Sequence, residues 1–372
     1  MSWSFIKLID CCEFLDHLRK PVKQINRKEG EYPYYGANGK QGTINDYIFD
    51  EDLVLLAEDG GHFRDPTRGI AYKISGKSWV NNHAHVLRPK NIIDINYLHY
   101  SLNQKDIRKY LTGSTRDKLT KSGASNIEIP LPPLDEQRRI AKILDTAINL
   151  QRKQAEINKS LLELEKNIFV EFFGDPLFNK KSLPLVPLEQ LGKLDRGMSK
   201  HRPRNDPSLL GGPYPLIQTG DVANSSGLIN SYHSTYSELG LKQSKLWKAG
   251  TLCITIAANI AKTGILKIDA CFPDSVVGFT SEHPENIYYV RTWLSFLQKT
   301  LEQQAPESAQ KNINLRLLRE LKVPYPPLDQ MKRFLVSIQS LEKLKLSAKK
   351  KAETLNLLVT SLSSNLLKEK VK

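Results

Sequence analysis

The sequence predicts an α+β protein: two tandem α/β modules separated by a long antiparallel two-helix coiled coil. Three observations predict it. A proline-rich segment occurs twice, about half the chain apart; each copy opens a long amphipathic run; and each copy closes a stretch of short strand-like runs. The 372 residues suit two domains of moderate size better than one. The expected boundaries are 1–133 for the first module, 134–176 for the first helix, 177–327 for the second module and 328–372 for the second helix.

The duplicated segment reads Pro130-Leu131-Pro132-Pro133-Leu134-Asp135-Glu136-Gln137 in the first copy and Pro324-Tyr325-Pro326-Pro327-Leu328-Asp329-Gln330-Met331 in the second. Its prolines impose an extended lead-in and forbid an earlier helix. Asp135 and Asp329 can cap the helix that follows, or set negative charge against its dipole. The run from Asp135 to Phe173 holds no Pro or Gly, would span ~58 Å as a helix, and is stopped by Gly174-Asp175-Pro176.

Apolar residues recur with steps of three and four in both helices. The first has Ile140, Ile143/Leu144, Ala147/Ile148, Ile157, Leu161, Leu164, Ile168 and Phe172. The second has Phe334, Ile338, Leu341, Ala348, Ala352, Leu355, Val359, Leu362 and Leu366, with Lys345 as an interruption. Such stripes seek partner helices. The alternative, each helix lying on its own module, conflicts with a length that exceeds a module's diameter.

The modules repeat more faintly. Tyr32–Gly36 corresponds to Tyr214–Gly220, the apolar run Leu53–Ala57 to Leu252–Ala257, and Gly69–Lys73 to Gly264–Lys267. A helical pattern follows each, Tyr97–Tyr110 and Tyr288–Leu301. Short β-rich runs with turn residues and one or two helices make an α+β module. Loops differ between copies more than strands do, as expected of a shared scaffold carrying separately tuned binding loops.

Formal net charge is +14, with 40% hydrophobic and 25% charged residues. A chain this basic points to a polyanionic partner, most often nucleic acid, against the alternative of a protein that is simply cationic and soluble. The four cysteines, Cys11, Cys12, Cys253 and Cys271, form no C-x-x-C pattern and read as core residues in a reducing compartment. No leader pattern and no run of membrane-span length are visible, so a cytoplasmic protein with no membrane partner is expected.

No motif for catalysis is complete in the sequence. Gly76-Lys77-Ser78 resembles the end of a P-loop, but Ala71 stands where the first glycine is needed and no helix follows. No G-x-G-x-x-G follows a strand, and the Asn-Pro-Pro-aromatic tetrapeptide of adenine methyltransferases is missing. Pro273-Asp274 is followed by Glu282-His283-Pro284, which lacks the lysine of a metal-dependent nuclease. His83 and His85 would share a strand face, yet show no third ligand in register, so no metal site is expected. Asp59-Gly60-Gly61 reads as a turn.

Basic and polar loops are the better candidates. In the first module they offer Lys20, Lys23, Arg27, Asn38, Lys40, Gln41, Arg64, Arg68, Ser114, Thr115, Arg116, Lys118 and Lys121. In the second they offer Lys200, Arg202, Arg204, Asn259, Lys262, Gln310, Lys311 and Asn312. Lys, Arg, Ser and Thr suit phosphates, and Arg, Lys, Asn and Gln can pair with base edges. A solvated surface is the bland reading of any one run; recurrence in both modules favours a double-stranded DNA contact.

The order of module, Pro130–Gln137 helix, module and Pro324–Gln330 helix resembles the specificity subunit of type I restriction–modification systems, over essentially the whole chain. The P-L-P-P-L-x-E-Q run is that family's signature. The resemblance implies two target recognition domains, each reading one half of a bipartite DNA site, with the helices as spacer. It also implies two methyltransferase subunits using S-adenosylmethionine, and two motor-nuclease subunits using ATP and Mg where restriction accompanies methylation. It places no active site and no cofactor on this chain. The second copy departs from the pattern at Gln330-Met331, and Lys345 and Lys349-Lys350-Lys351 mark its helix as the weaker one. Different loops imply different half-sites, hence a non-palindromic target with a fixed gap. A standalone nuclease or methyltransferase with an unrecognised site, or a coiled-coil scaffold for a protein partner, are the other readings.

Overall fold

A computed structural model describes residues 3–65, 68–113, 116–257, 260–304 and 313–367. The chain forms two compact units, residues 1–155 with 350–372 and residues 156–349. Each holds one module and a stretch of each long helix.

The first unit is built on a four-stranded sheet, in the order Cys12–Phe14, Ala84–Pro89, Leu53–Ala57 and Ala71–Ile74. The central strand Leu53–Ala57 is buried along its whole length, as a continuous apolar run between two neighbours should be. A second sheet runs Gly39–Ile44, Tyr32–Gly36, Lys77–Val80 and Phe49–Asp50. The helix Ile95–Gln104 starts at Asp94, whose side chain accepts from the amides of Asn96 and Tyr97. It ends short of the expected Tyr110, because Lys105 turns extended and Arg108–Tyr110 forms a separate 3-10 turn.

The second unit repeats this frame. Its five-stranded sheet runs Lys193–Arg196, Val276–Thr280, Leu252–Thr255, Thr263–Leu266 and Leu228–Ile229. Its other sheet runs Ser234–Tyr236, Leu210–Leu216, Ala270–Cys271 and Leu246–Trp247. Strand register corrects two sequence correspondences. Val54 pairs with Lys73 and Leu87, and Leu252 pairs with Ile265 and Phe279. Val54 therefore matches Leu252, and Lys73 matches Ile265, so the expected match of Gly69 with Gly264 is out of register. Glycine spacing misled because the loops between the strands differ in length. The pairing of Tyr32–Gly36 with the run from Tyr214 holds: Tyr34 lies parallel to Trp79 as Leu216 lies parallel to Cys271.

One hydrogen bond recurs in both units. Tyr97 Oη donates to the carbonyl of Pro130 at 3.0 Å, and Tyr289 Oη donates to that of Pro324. Each ties the module's helix to the proline lead-in. The long helices then run Leu134–Phe173 and Leu328–Leu367, 40 residues each, or ~60 Å. Asp135 and Asp329 sit inside the first turn and not at the cap, so their role is charge against the dipole. Gly174, at φ +78°, ends the first helix.

The two helices run antiparallel within each unit. In the first, Ile140 and Leu144 share a core with Leu362, Leu366 and Leu367, and Gln151 Nε2 donates to Asn356 Oδ1 at 2.7 Å. In the second, Phe169, Phe172 and Phe173 pack against Phe334. The seam differs from the expected stripe. Ile157 and Leu164 are half exposed, whereas Gln154 is buried and Glu165 largely so. Lys345 is no interruption: it pairs with Glu165. Arg291, 3% exposed, lies between Glu165 (2.7 Å) and Glu342. Burial of Glu165 would raise its pKa, but the charges of Arg291 and Lys345, with their hydrogen bonds, hold it at about 2.

All four cysteines are buried and free. Burial alone pushes the Cys253 thiol well above its ordinary range, as expected of an inert core residue.

Candidate nucleic-acid interface

The first module gathers its polar loops at one end of the central strand Leu53–Ala57. Beyond Ala57, the Glu58 amide donates to the His83 carbonyl and the Glu58 carbonyl accepts from Leu119 at 2.7 Å. Three loops distant in sequence are thereby fixed beside one another. The tip of the Tyr32–Ile44 hairpin joins them, because Asn38 Nδ2 donates to the Gly60 carbonyl at 2.9 Å. Gln41 Oε1 accepts from Asn81 Nδ2 at 3.2 Å, and Gln41 O from Arg27 Nη1 at 3.3 Å.

The cations of this rim are interleaved with carboxylates that sequence reading passed over. Arg64 makes a two-pronged pair with Asp117, at 2.6 and 2.9 Å. That pair raises the Arg64 pKa and lowers the Asp117 pKa. Arg116 lies 3.5 Å from Asp59, which also holds His83 at 2.7 Å. Arg68 Nη1 lies 3.2 Å from His62 Nε2, and its Nε lies 3.7 Å from Asp65. Lys118 reaches Glu58 at 3.2 Å.

Beneath the rim is a buried charge network. Glu58 also accepts from Arg19 at 2.7 Å. His85 is fully buried, with Nδ1 2.6 Å from Asp16 and Nε2 2.8 Å from the Leu119 carbonyl. Both ring nitrogens face acceptors, so each is placed to donate. Burial pushes the Asp16 carboxyl up, but His85, the Val86 amide and Arg19 outweigh it and hold the carboxyl below its ordinary range. Asp16, Glu58 and His85 bring ligand atoms within 4.8 Å of one another. This is the third-ligand geometry that the sequence did not show for His85. Arg19 and Lys118 already neutralise Glu58, so the donor set suits an internal ion network and not a metal. Strand register puts Val277 at the place of His85 and Ile256 at that of Glu58 in the second module. The same frame therefore carries a charged support on one side and an apolar one on the other.

Lys20, Lys23 and Lys40 are exposed on the strap before Tyr32 and on the hairpin. Lys121 opens the short helix Lys121–Ser125 and lies 5.8 Å from the Phe14 ring centre. Ser114 and Thr115 lie outside the described residues.

In the second module the corresponding strand end gathers a different set. Arg202 and Arg204 converge on Asp274, at 3.6 and 2.5 Å. Lys200 is exposed, its amide donating to Gln243 Oε1 at 2.7 Å. Lys262 donates through its amide to Thr255 Oγ1 at 3.0 Å and through Nζ to Gln298 at 3.3 Å. The Ile256 amide reaches the Ser275 carbonyl and its carbonyl accepts from Ile313, the same three-way junction as at Glu58. Asn259, Gln310, Lys311 and Asn312 lie outside the described residues.

Two modules of one frame, with unlike polar rims and a shared helix junction, set the question of family. The model for the type I restriction modification DNA specificity domain matches residues 1–162 and again 185–356. The chain belongs to that family. A type I restriction enzyme specificity subunit of Haemophilus influenzae is 27% identical, covering 91% of this chain and 87% of its own. A MjaX specificity subunit from Methanocaldococcus jannaschii is 28% identical over 74% of this chain and 70% of its own. Among solved structures, the S subunit of a type I restriction-modification system from M. genitalium shares the fold, with a TM-score of 0.69 at 15% identity, covering 100% of this chain and 97% of that one. A chain from a structure addressing complex assembly in the type I system aligns with a TM-score of 0.56 at 16% identity, covering 100% and 98%.

The family signature residue Gln137 shows its use in the structure. It is fully buried, accepts from the Asp94 amide at 2.8 Å and donates to the carbonyls of Pro132 and Ile92. The second copy puts Met331, also fully buried, in the apolar core at that place. The departure seen in sequence is thus an exchange of a polar clasp for an apolar plug. No described helix is long and apolar enough to cross a membrane.

Proposed function

We propose that this chain is the DNA-specificity subunit of a type I restriction–modification complex. Each module reads one half of a bipartite, non-palindromic site in double-stranded DNA. The long helices set the gap between the halves and dock two methyltransferase subunits. Methyl transfer, with S-adenosylmethionine, belongs to those subunits; ATP and Mg belong to motor-nuclease subunits where these join. This chain carries no catalytic residue in that scheme and works in the cytoplasm.

The observation that carries the reading is the paired strand-end junction, at Glu58 and at Ile256, which gathers chemically different loops on one duplicated frame. Loops of Arg, Lys, Asn and Gln held by a rigid sheet suit phosphate contact and base-edge pairing. The test is co-expression with the methyltransferase subunit of the same system, followed by genome-wide mapping of adenine methylation. A split motif with a constant gap and two different halves is expected. A continuous motif, or methylation without one, would overturn the proposal.

A further inference from the structure

Ile25 is 90% exposed, more than any other large apolar side chain among the described residues. An exposed isoleucine by itself needs no explanation; its mounting does. It is the middle residue of a 3-10 turn, Gln24–Asn26, on the strap that precedes Tyr32. That strap is anchored on both sides of the turn. Trp79 Nε1 donates to the Lys20 carbonyl at 2.7 Å, and the Val22 amide donates to the buried Tyr34 hydroxyl at 3.0 Å. Beyond the turn, the Arg27 guanidinium stacks 3.7 Å over the Tyr34 ring, and the Lys28 carbonyl accepts from Asn45 at 3.1 Å. A turn fixed at four points holds an isoleucine in water.

The surroundings say what covers it. Lys20, Lys23, Arg27 and Lys28 flank the turn on both sides, and the strap's two acidic residues, Glu29 and Glu31, lie at its far end next to Tyr32. The Arg27 bond to Gln41, and the Gln41 bond to Asn81, join the strap to the polar rim. Polyanion chemistry therefore surrounds an apolar tip. The major groove of DNA offers one apolar group, the thymine 5-methyl.

We propose that Ile25 enters the major groove and packs on a thymine methyl of the half-site read by the first module, with the flanking cations on phosphates. This rests on the DNA-specificity reading above. The duplicated module supplies a contrast: the 3-10 turn ahead of its matching strand, Pro207–Leu209, keeps its leucine buried, at 1% exposure.

The test uses the full chain co-purified with its methyltransferase subunit, and duplexes carrying the mapped site. Each thymine is replaced in turn by deoxyuridine, which removes only the methyl. One replacement should weaken wild-type binding several-fold. Ile25→Ala should weaken binding about tenfold, the cost of leaving roughly two methyl-sized groups without apolar contact, and should be indifferent to that same replacement. Ile25 is exposed, so the variant folds, and an unchanged melting temperature checks this. Wild-type affinity in Ile25→Ala, a loss that is independent of every thymine methyl, or a first half-site without an A·T pair would each overturn the proposal. A mapped site bound equally by both proteins sinks this inference alone; absence of any split motif sinks the functional reading and this one with it.

Discussion

Arg291, on the helix Pro284–Gln304, donates to Glu165 on the first long helix at 2.7 Å while its other terminal nitrogen meets Glu342 on the second. One buried guanidinium thus bridges both long helices in the second unit, and Lys345 closes the group. A polar group at a helix seam specifies register at some cost in stability. Arg291→Met should destabilise the second unit by about 3–5 kcal/mol, because Glu342 loses its counter-charge and Glu165 keeps only Lys345. Replacing Glu165 and Glu342 by apolar residues in the same protein should recover most of that loss. Chemical denaturation of the three proteins measures both effects; no recovery would mean the network stabilises outright.

The same group sets an acid limb. The folded chain holds Glu165 at about 2, below its ordinary value of 4.5. Its contribution is therefore complete above about pH 4.5 and is lost as pH falls toward 2. Glu165→Gln should be less stable at neutral pH and should lose less on acidification across that window. Unfolding free energies at several pH values show this as a flatter acid limb in the variant.

Gln137 and Met331 occupy equivalent places with opposite chemistry. Gln137→Met should leave the Asp94 amide and two carbonyls without their partner, at a cost of about 2–4 kcal/mol. Met331→Gln should also destabilise, by about 1–3 kcal/mol, through an unpaired amide in an apolar core. Thermal melts of both variants test the pair; a neutral Gln137→Met would show that water replaces the clasp.

Tyr97→Phe and Tyr289→Phe each delete the hydroxyl bound to a lead-in proline carbonyl. Each should cost about 1–2 kcal/mol, and the two effects should add, since the residues lie in different units.

Asp117 restrains Arg64 on the rim of the first module. Exposed pairs of this kind contribute little to stability, so Asp117→Asn should leave the melting temperature nearly unchanged. It should raise affinity for non-cognate duplex a few-fold at low salt and lose that gain at high salt. Arg64→Ala should lower affinity and reduce the salt slope by about 1. An affinity unchanged in both variants would place Arg64 outside the DNA contact.

Local rules alone determined much of this protein. The repeated proline segment, the helix stop at Gly174, the buried strand Leu53–Ala57 and the duplication of the frame all follow from backbone restriction and apolar runs, which act within a few residues. What only tertiary structure decided is where polar residues go. Apolar periodicity picked Ile157 and Leu164 for the seam, because the true positions carry Gln154 and Glu165; their burial depends on partners such as Lys345 and Arg291, far away in the chain. The basic loops were legible as composition, but Asp59, Asp117 and Asp274, which interleave the rim cations, reach them only through strand pairing and loop closure. Charge pairing works through space, so the residues that shape each rim had no local signal to give them away.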